Sequence, residues 1–407
     1  MARHNSLSDY ALKRFRLAGR AVLDNGNPFF IPTDTLQDEI ETKGNGHYVS
    51  FANYDYLGLA DHPRVRQAAH DAIDRFGVGA LASRLVGGER STHRELELGL
   101  AKFLGFDDSL ALVSGYLANV TVLTHLMGGR DAILLDELSH NSVASGGRGA
   151  AAETIVFRHN DLDHLDHILT ERRENYRNVI VVVESLYSMD GDTVDLERLC
   201  QIKEKHGVWL LVDEAHSIGV LGKTGRGLCE ETGVDPSRVD LVIGTLSKTF
   251  ASCGGFICGK QGIIDWMRFT LPGFVYSVGL SPVITASAMA ALELLKAEPH
   301  RIAKLAHNAE YFRDTMQAAG LDTGPAIGRA VVPVLFASDR ETMMASQHLL
   351  ENGVYVPPVV RIGVPKDQPR LRFFISASHH EEDIRTVADL LANRPFVEER
   401  RLVAGEA

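Results

Sequence analysis

The chain has 407 residues, 45% of them hydrophobic and 23% charged, and a formal net charge of −11. That length suits about two to three domains around a large core, and the acidic balance argues against nucleic acid or an anionic membrane surface as a partner. No stretch approaches the ~20 apolar residues of a spanning helix, and the first residues lack the apolar core of a secretory signal.

Residues 1–50 read as an N-terminal arm: one helix, an apolar patch at Asn27-Pro-Phe-Phe-Ile31, and a hairpin-like segment turning at Gly44-Asn-Gly46. From 63 to 76 apolar residues recur at helical spacing, and Gly77 ends the helix. Gly77-Val-Gly-Ala-Leu-Ala82 is a formal match to a dinucleotide-binding fingerprint, but it follows a helix rather than a strand and is rejected. Gly222-Lys-Thr224 is not a phosphate-binding P-loop either, because Ser217 stands where the first glycine is needed. Between 109 and 260, short apolar runs at 110–113, 132–135, 154–157, 179–183, 209–212, 241–243 and 255–258 alternate with helical segments. This is the rhythm of a mostly parallel sheet covered by helices on both faces.

Helices follow at 282–296 and 299–319, then a strand at 330–336, a helix at 340–351, an extended segment at 370–375 and a last helix at 381–391. That pattern predicts a second, smaller α/β domain. The expected division is an arm at 1–50, a large domain at 51–295 and a small C-terminal domain at 296–407. The four cysteines, at 200, 229, 253 and 258, fit neither a disulfide framework nor a zinc ribbon, and read as reduced thiols of a cytoplasmic protein.

Two segments carry chemistry. The apolar run 208–212 stops at Asp213, as a buried parallel strand does when it delivers a carboxylate to the ligand-binding edge of a sheet. The run 239–244 hands over to Thr245, Ser247 and Lys248, where a lysine loses solvent and becomes a usable nucleophile toward an aldehyde. A lone Asp or Lys would more often be a turn cap or a solvated cation. The flanking hydroxyls and the small residues Ala251, Ser252, Gly254 and Gly255 favour a phosphate-sized space instead. An acid able to hold a pyridinium proton and an imine-forming lysine are the equipment of a pyridoxal phosphate (PLP) enzyme. An Asp213/His216 metal pair is the competing reading.

The motifs Asp213-Glu-Ala-His-Ser-Ile-Gly219, Gly225-Arg-Gly227 and Gly244-Thr-Leu-Ser-Lys248 resemble the α-oxoamine synthase family of fold-type I PLP-dependent enzymes. So do Asn53-Tyr-Asp-Tyr-Leu-Gly58, Ser83-Arg-Leu-Val86, His93-Arg-Glu-Leu-Glu97, Tyr187-Ser-Met-Asp-Gly191, Arg370-Leu-Arg372 and Ser376-Ala-Ser-His379. These matches run in order from about residue 50 to 390. The resemblance implies a large domain with a mostly parallel seven-stranded sheet, a smaller C-terminal α/β domain, no metal, and a homodimer with shared active sites.

By that resemblance Lys248 binds the PLP aldehyde and later moves the α-proton, Asp213 pairs with the pyridine nitrogen, and His140 stacks on the ring. His216 and Ser188 bond the phenolic oxygen. The phosphate rests on Ser114, Gly115 and Tyr116 at a helix start, with Thr245, Ser247 and a partner-subunit hydroxyl at Ser277. Arg372 clamps the amino-acid carboxylate, and Asn53 and Arg361 are further substrate-contacting candidates. The chain departs from the family pattern at Asn141 and at Val278-Gly279.

The implied reaction is a decarboxylative condensation of serine, alanine or glycine with an acyl thioester of CoA or a carrier protein. Phe157-Arg-His-Asn-Asp161, Asn27-Pro-Phe29 and Val212-Asp-Glu-Ala-His-Ser217 resemble serine palmitoyltransferase within the family. The alternatives are an 8-amino-7-oxononanoate synthase-like enzyme, a natural-product synthase using a carrier-bound chain and, in another class, a PLP aminotransferase.

Overall fold

The computed structural model describes residues 6–18, 29–32, 39–41, 47–360 and 368–393. In the arm, a helix at Leu7–Ala18 precedes an antiparallel pair, β1 (Glu39–Glu41) and β2 (His47–Ser50). Asn27, Pro28 and the turn at 44–46 lie outside the described residues. The helix Pro63–Phe76 begins on Pro63, with the His62 side chain accepting from the Arg64 N–H, and stops at Gly77, whose φ is +73°.

All seven apolar runs form strands, and all seven join one sheet. They are β3 (Asp108–Leu112), β4 (Ala132–Asp136), β5 (Glu153–Phe157), β6 (Val179–Glu184), β7 (Trp209–Asp213), β8 (Leu241–Thr245) and β9 (Gly255–Gly259), in the spatial order β3-β9-β8-β7-β6-β4-β5. Only β9 is reversed, running antiparallel to both β3 and β8. The central strands read as unbroken apolar runs because both faces are covered: Val179, Val181 and Val183 of β6 face one apolar core, Ile180 and Val182 the other. The fold is therefore the expected α/β architecture.

The rest of the chain supports a second sheet. Helices at Pro282–Ala297 and His300–Ala318 lead to β10 (Val331–Leu335), and a helix at Asp339–Glu351 precedes two-residue strands β11 (Val354–Tyr355) and β12 (Pro358–Val359). β13 (Arg370–Phe374) pairs antiparallel with both β10 and β12, and the helix Glu381–Ala392 ends the described chain. β11 instead pairs parallel with β2, stitching the arm to this region. Sequence patterning does not reveal β11 and β12, since two residues beside Pro357 and Pro358 are too short to show a period. Among the described residues no helix is long and apolar enough to cross a membrane.

One glycine lets the turn at 187–192 pack closely against β10. Gly191 has φ +70°, its carbonyl accepts from the Ile327 N–H, and a Cβ there would lie 2.1 Å from the Val331 carbonyl oxygen. Gly191→Ala is expected to cost about 1–3 kcal/mol, read as a lowered urea midpoint. An unchanged midpoint would show that the turn and β10 separate freely.

Candidate active site

β3, β4, β6, β7 and β8 all end along one edge of the sheet, and the residues just beyond those ends surround a cavity of about 350 Å³. After β3, Ser114 caps the helix Gly115–Leu126, its Oγ accepting the Leu117 N–H, and Ser114, Gly115 and Tyr116 line the cavity. β4 leads to His140, β6 to Glu184 and Ser188, and β7 to Asp213 and His216. β8 leads to Thr245, Ser247 and Lys248, while Arg372 reaches in from β13. Asn53 does not line the cavity, although its neighbour Tyr54 does; the Asn53 Oδ1 accepts from the Asp55 N–H at 3.0 Å. Ser277 also lies outside the cavity of its own chain, and Arg361 falls outside the described residues.

Asp213 is 5% exposed and rigidly held. Asn119 Nδ2 donates to its Oδ2 at 2.7 Å and the Ala215 N–H to its Oδ1 at 3.0 Å. Burial pulls the Lys248 amine down to about 8, and the Arg372 charge pulls the same way, while Asp213 and Glu184 partly restore it. A lysine so placed keeps a useful fraction of free amine near neutral pH. Glu184 is pushed up to about 8 by burial and by Asp213; its carboxylate accepts the His140 N–H at 2.5 Å and the Ser188 N–H at 3.2 Å.

The two histidines are kept neutral. Burial, with Lys248 and Arg372 adding to it, holds His216 well below the usual imidazole range. Its Nδ1 is 2.7 Å from the Tyr56 hydroxyl, and burial raises that phenol well above its ordinary value. The protonated phenol therefore donates to Nδ1 and leaves an N–H on Nε2. His140 is lowered chiefly by burial, and its Nδ1 accepts the Ser142 N–H at 3.2 Å.

The helix start forms an anion cradle. A Cβ on Gly255 would lie 2.5 Å from the Gly115 backbone, and one on Gly115 would lie 3.3 Å from Thr245 Cβ, so backbone N–H groups and hydroxyls come close together. At the other side of the cavity, Arg372 NH1 donates to the Ser188 carbonyl at 3.0 Å, and its guanidinium covers the Phe374 ring at 4.5 Å. The buried Arg372 Nε and Asn119 Oδ1 have no hydrogen-bond partner among the described residues. An anion cradle, a buried acid, a lysine that loses its proton more readily than a solvated one and an arginine with a spare donor fit PLP carrying a carboxylate-bearing substrate.

Asn119, Glu184, Tyr54, Tyr56 and Ser142 were not anticipated from sequence. Glu184 had a signal: it terminates a six-residue apolar strand just as Asp213 terminates β7. Asn119 had none, and Tyr56, although it lies in the motif 53–58, gave no sign of its partner, because each meets that partner across a long stretch of chain.

A family model described as aminotransferase class I and II matches residues 46–391. The chain is 34% identical over 336 residues to an 8-amino-7-oxononanoate synthase from Thermoanaerobacter pseudethanolicus, covering 83% of this chain and 85% of the relative. An 8-amino-7-oxononanoate synthase from Thermosipho melanesiensis is 37% identical over 336 residues, with coverage of 83% and 85%. A solved serine palmitoyltransferase from S. paucimobilis with a bound PLP–myriocin aldimine is 29% identical, with a TM-score of 0.90 over 96% of this chain and 98% of that one.

The electrostatics make a direct prediction for the cofactor-free protein. Modification of Lys248 by an amine-selective reagent, followed by peptide mass spectrometry across pH, should have a midpoint near 8. Asp213→Asn should lower that midpoint and Arg372→Met should raise it, because the first removes a charge that favours the ammonium and the second one that opposes it. A midpoint near 10.5 would mean that the lysine is solvated.

Proposed function

Because the chain belongs to the class I and II aminotransferase family, and within it to the PLP-dependent α-oxoamine synthases, we propose that it condenses a small amino acid with an acyl thioester. The observation that carries this reading is the cavity shared by Lys248, Asp213 and Arg372, whose Nε has no partner among the described residues. PLP, when bound, supplies an electron sink that stabilises negative charge on the amino-acid α-carbon.

Position in the cavity supports the following residue roles. The Lys248 amine is the nucleophile toward the cofactor aldehyde and the base that takes the α-proton at Nζ. Asp213, held by Asn119, keeps a proton on the pyridine nitrogen. His140 would cover one face of the ring, and the His216 Nε2–H with Ser188 would bond its phenolic oxygen. Ser114, Gly115, Tyr116, Thr245 and Ser247 take the phosphate at the helix start. Arg372 orients the substrate carboxylate so that the bond to be broken stands off the ring. Asn53 and Arg361 remain candidate substrate contacts outside this set.

The substrates are serine, alanine or glycine and a thioester of CoA or a carrier protein, with loss of carbon dioxide and thiol. Serine palmitoyltransferase is the likeness favoured by overall shape, at a TM-score of 0.90. The 8-amino-7-oxononanoate synthases, at 34% and 37% identity, support the alternative with a different acyl donor.

We also read the enzyme as a homodimer. Leu81, Leu85, Val86, Tyr276 and Val278 are exposed, and the Ser83–Val278 bridge joins their two segments into one patch. Buried Arg84, paired with Glu89 and Glu97, holds this loop from beneath. Ser277 sits within the patch, a position suited to reaching the partner's phosphate site. Four unpaired thiols support a cytoplasmic location.

The test is amino-acid-dependent thiol release from acyl-CoA donors of increasing length and from an acyl carrier protein. Pyridoxamine phosphate accumulating with amino acid alone, and no thiol release, would favour an aminotransferase. Lys248→Ala should lower turnover at least ~1,000-fold. Arg372→Met should raise the amino-acid KM roughly 10- to 100-fold through loss of a charged hydrogen bond; an unchanged KM would remove the carboxylate role.

A further inference from the structure

The motif 157–161 has no task in the reaction above, and its histidine does not line the cavity. His159 follows β5, the sheet's edge strand, and is half-buried between two carboxylates. Its Nδ1 is 2.9 Å from Asp136 Oδ1 and its Nε2 is 2.9 Å from Asp192 Oδ2. Both carboxylates are buried. Asn160, with φ +51°, repeats the link: its N–H donates to Asp136 Oδ2 at 2.9 Å and its Nδ2 to Asp192 Oδ2 at 2.7 Å. The Tyr187 ring stands edge-on to the imidazole at 4.5 Å, and Glu137 Oε1 accepts the His159 N–H.

The two carboxylates belong to two of the loops that carry cavity residues. Asp136 ends β4 and precedes His140, with the Ser139 N–H donating to the Asp136 carbonyl. Asp192 closes the turn containing Ser188, its carbonyl accepting the Tyr187 N–H. On the cavity side Glu184 already ties these loops, accepting from the His140 and Ser188 N–H groups. His159 makes the outer tie. Two buried carboxylates facing each other repel unless a cation lies between them. A flat imidazolium can donate from two opposite edges at once, which neither lysine nor a single amide group does in the same way. Burial alone would lower this imidazole, but its hydrogen bonds to Asp136 and Asp192 raise it to about 10, so it stays charged at neutral pH.

We propose that His159 is a positioning residue: clamped between Asp136 and Asp192, it locks the loop carrying His140 against the turn carrying Ser188 and so sets the width of the cofactor slot. The proposal rests on the reading that the cavity holds PLP.

The test uses His159→Gln and Asp192→Asn in the full chain, measuring PLP affinity by titrating the apoprotein, the absorbance of bound PLP, and the apoprotein's thermal midpoint. Both variants should bind PLP about 10-fold more weakly or worse, with a displaced absorbance band, while the apoprotein midpoint stays within about 4 °C of wild type. PLP affinity within about twofold of wild type in both variants would overturn the clamp. So would a collapse of the apoprotein midpoint in both, which would make His159 a general stability residue. Wild-type protein that does not bind PLP would overturn the cofactor reading, and the role given to His159 with it.

Discussion

Asp213 is a carboxylate held in a nearly solvent-free site, and much of the molecule serves to keep it there. Its strand is buried on both faces, so the backbone that presents it cannot move independently of the sheet. Asn119 and the Ala215 N–H take its two oxygens. The same desolvation acts on its neighbours with opposite sign: it lowers Lys248 to about 8 and raises Glu184 to about 8. Lowering Lys248 from 10.5 to about 8 corresponds to roughly 3 kcal/mol against the ammonium. The cavity thus sets a firmly held carboxyl group beside an amine that can lose its proton, the pair that PLP chemistry requires.

The second sheet contributes through two arginines two residues apart. Arg370, 1% exposed, donates to Asp190 Oδ1 at 2.8 Å and to the Met189 carbonyl at 2.9 Å. Arg372 donates to the Ser188 carbonyl from the same strand. β13 therefore grips the 187–192 turn with one arginine and turns the other toward the cavity. In the proposed roles, a substrate carboxylate at Arg372 would lean on the same turn that carries Ser188, and binding at one position would be linked to geometry at the other.

Much of this was legible in the sequence because buried parallel strands are unbroken apolar runs and their ends are marked by polar residues. Asp213 and Lys248 stand out for that reason, and the seven strands followed from the same pattern. Glu184 carried the same mark but stood apart from the recognised motifs. The partners of Asn119, Tyr56 and His159 could not be read, since each lies far along the chain and is brought near only by the fold. Ser277 and Asn53 show another limit: the resemblance points to both, yet neither lines the cavity of its own chain. A motif records which residues travel together, not which side of the backbone each one faces.

The central claim is that carbon–carbon bond formation and loss of the amino-acid carboxylate occur together in this cavity. The most direct measurement supplies carboxyl-labelled amino acid with an acyl thioester and follows labelled carbon dioxide and free thiol in one reaction. The account predicts equal amounts of the two, each requiring both substrates. Thiol release with the label retained in the product, or label release without the thioester, would contradict it.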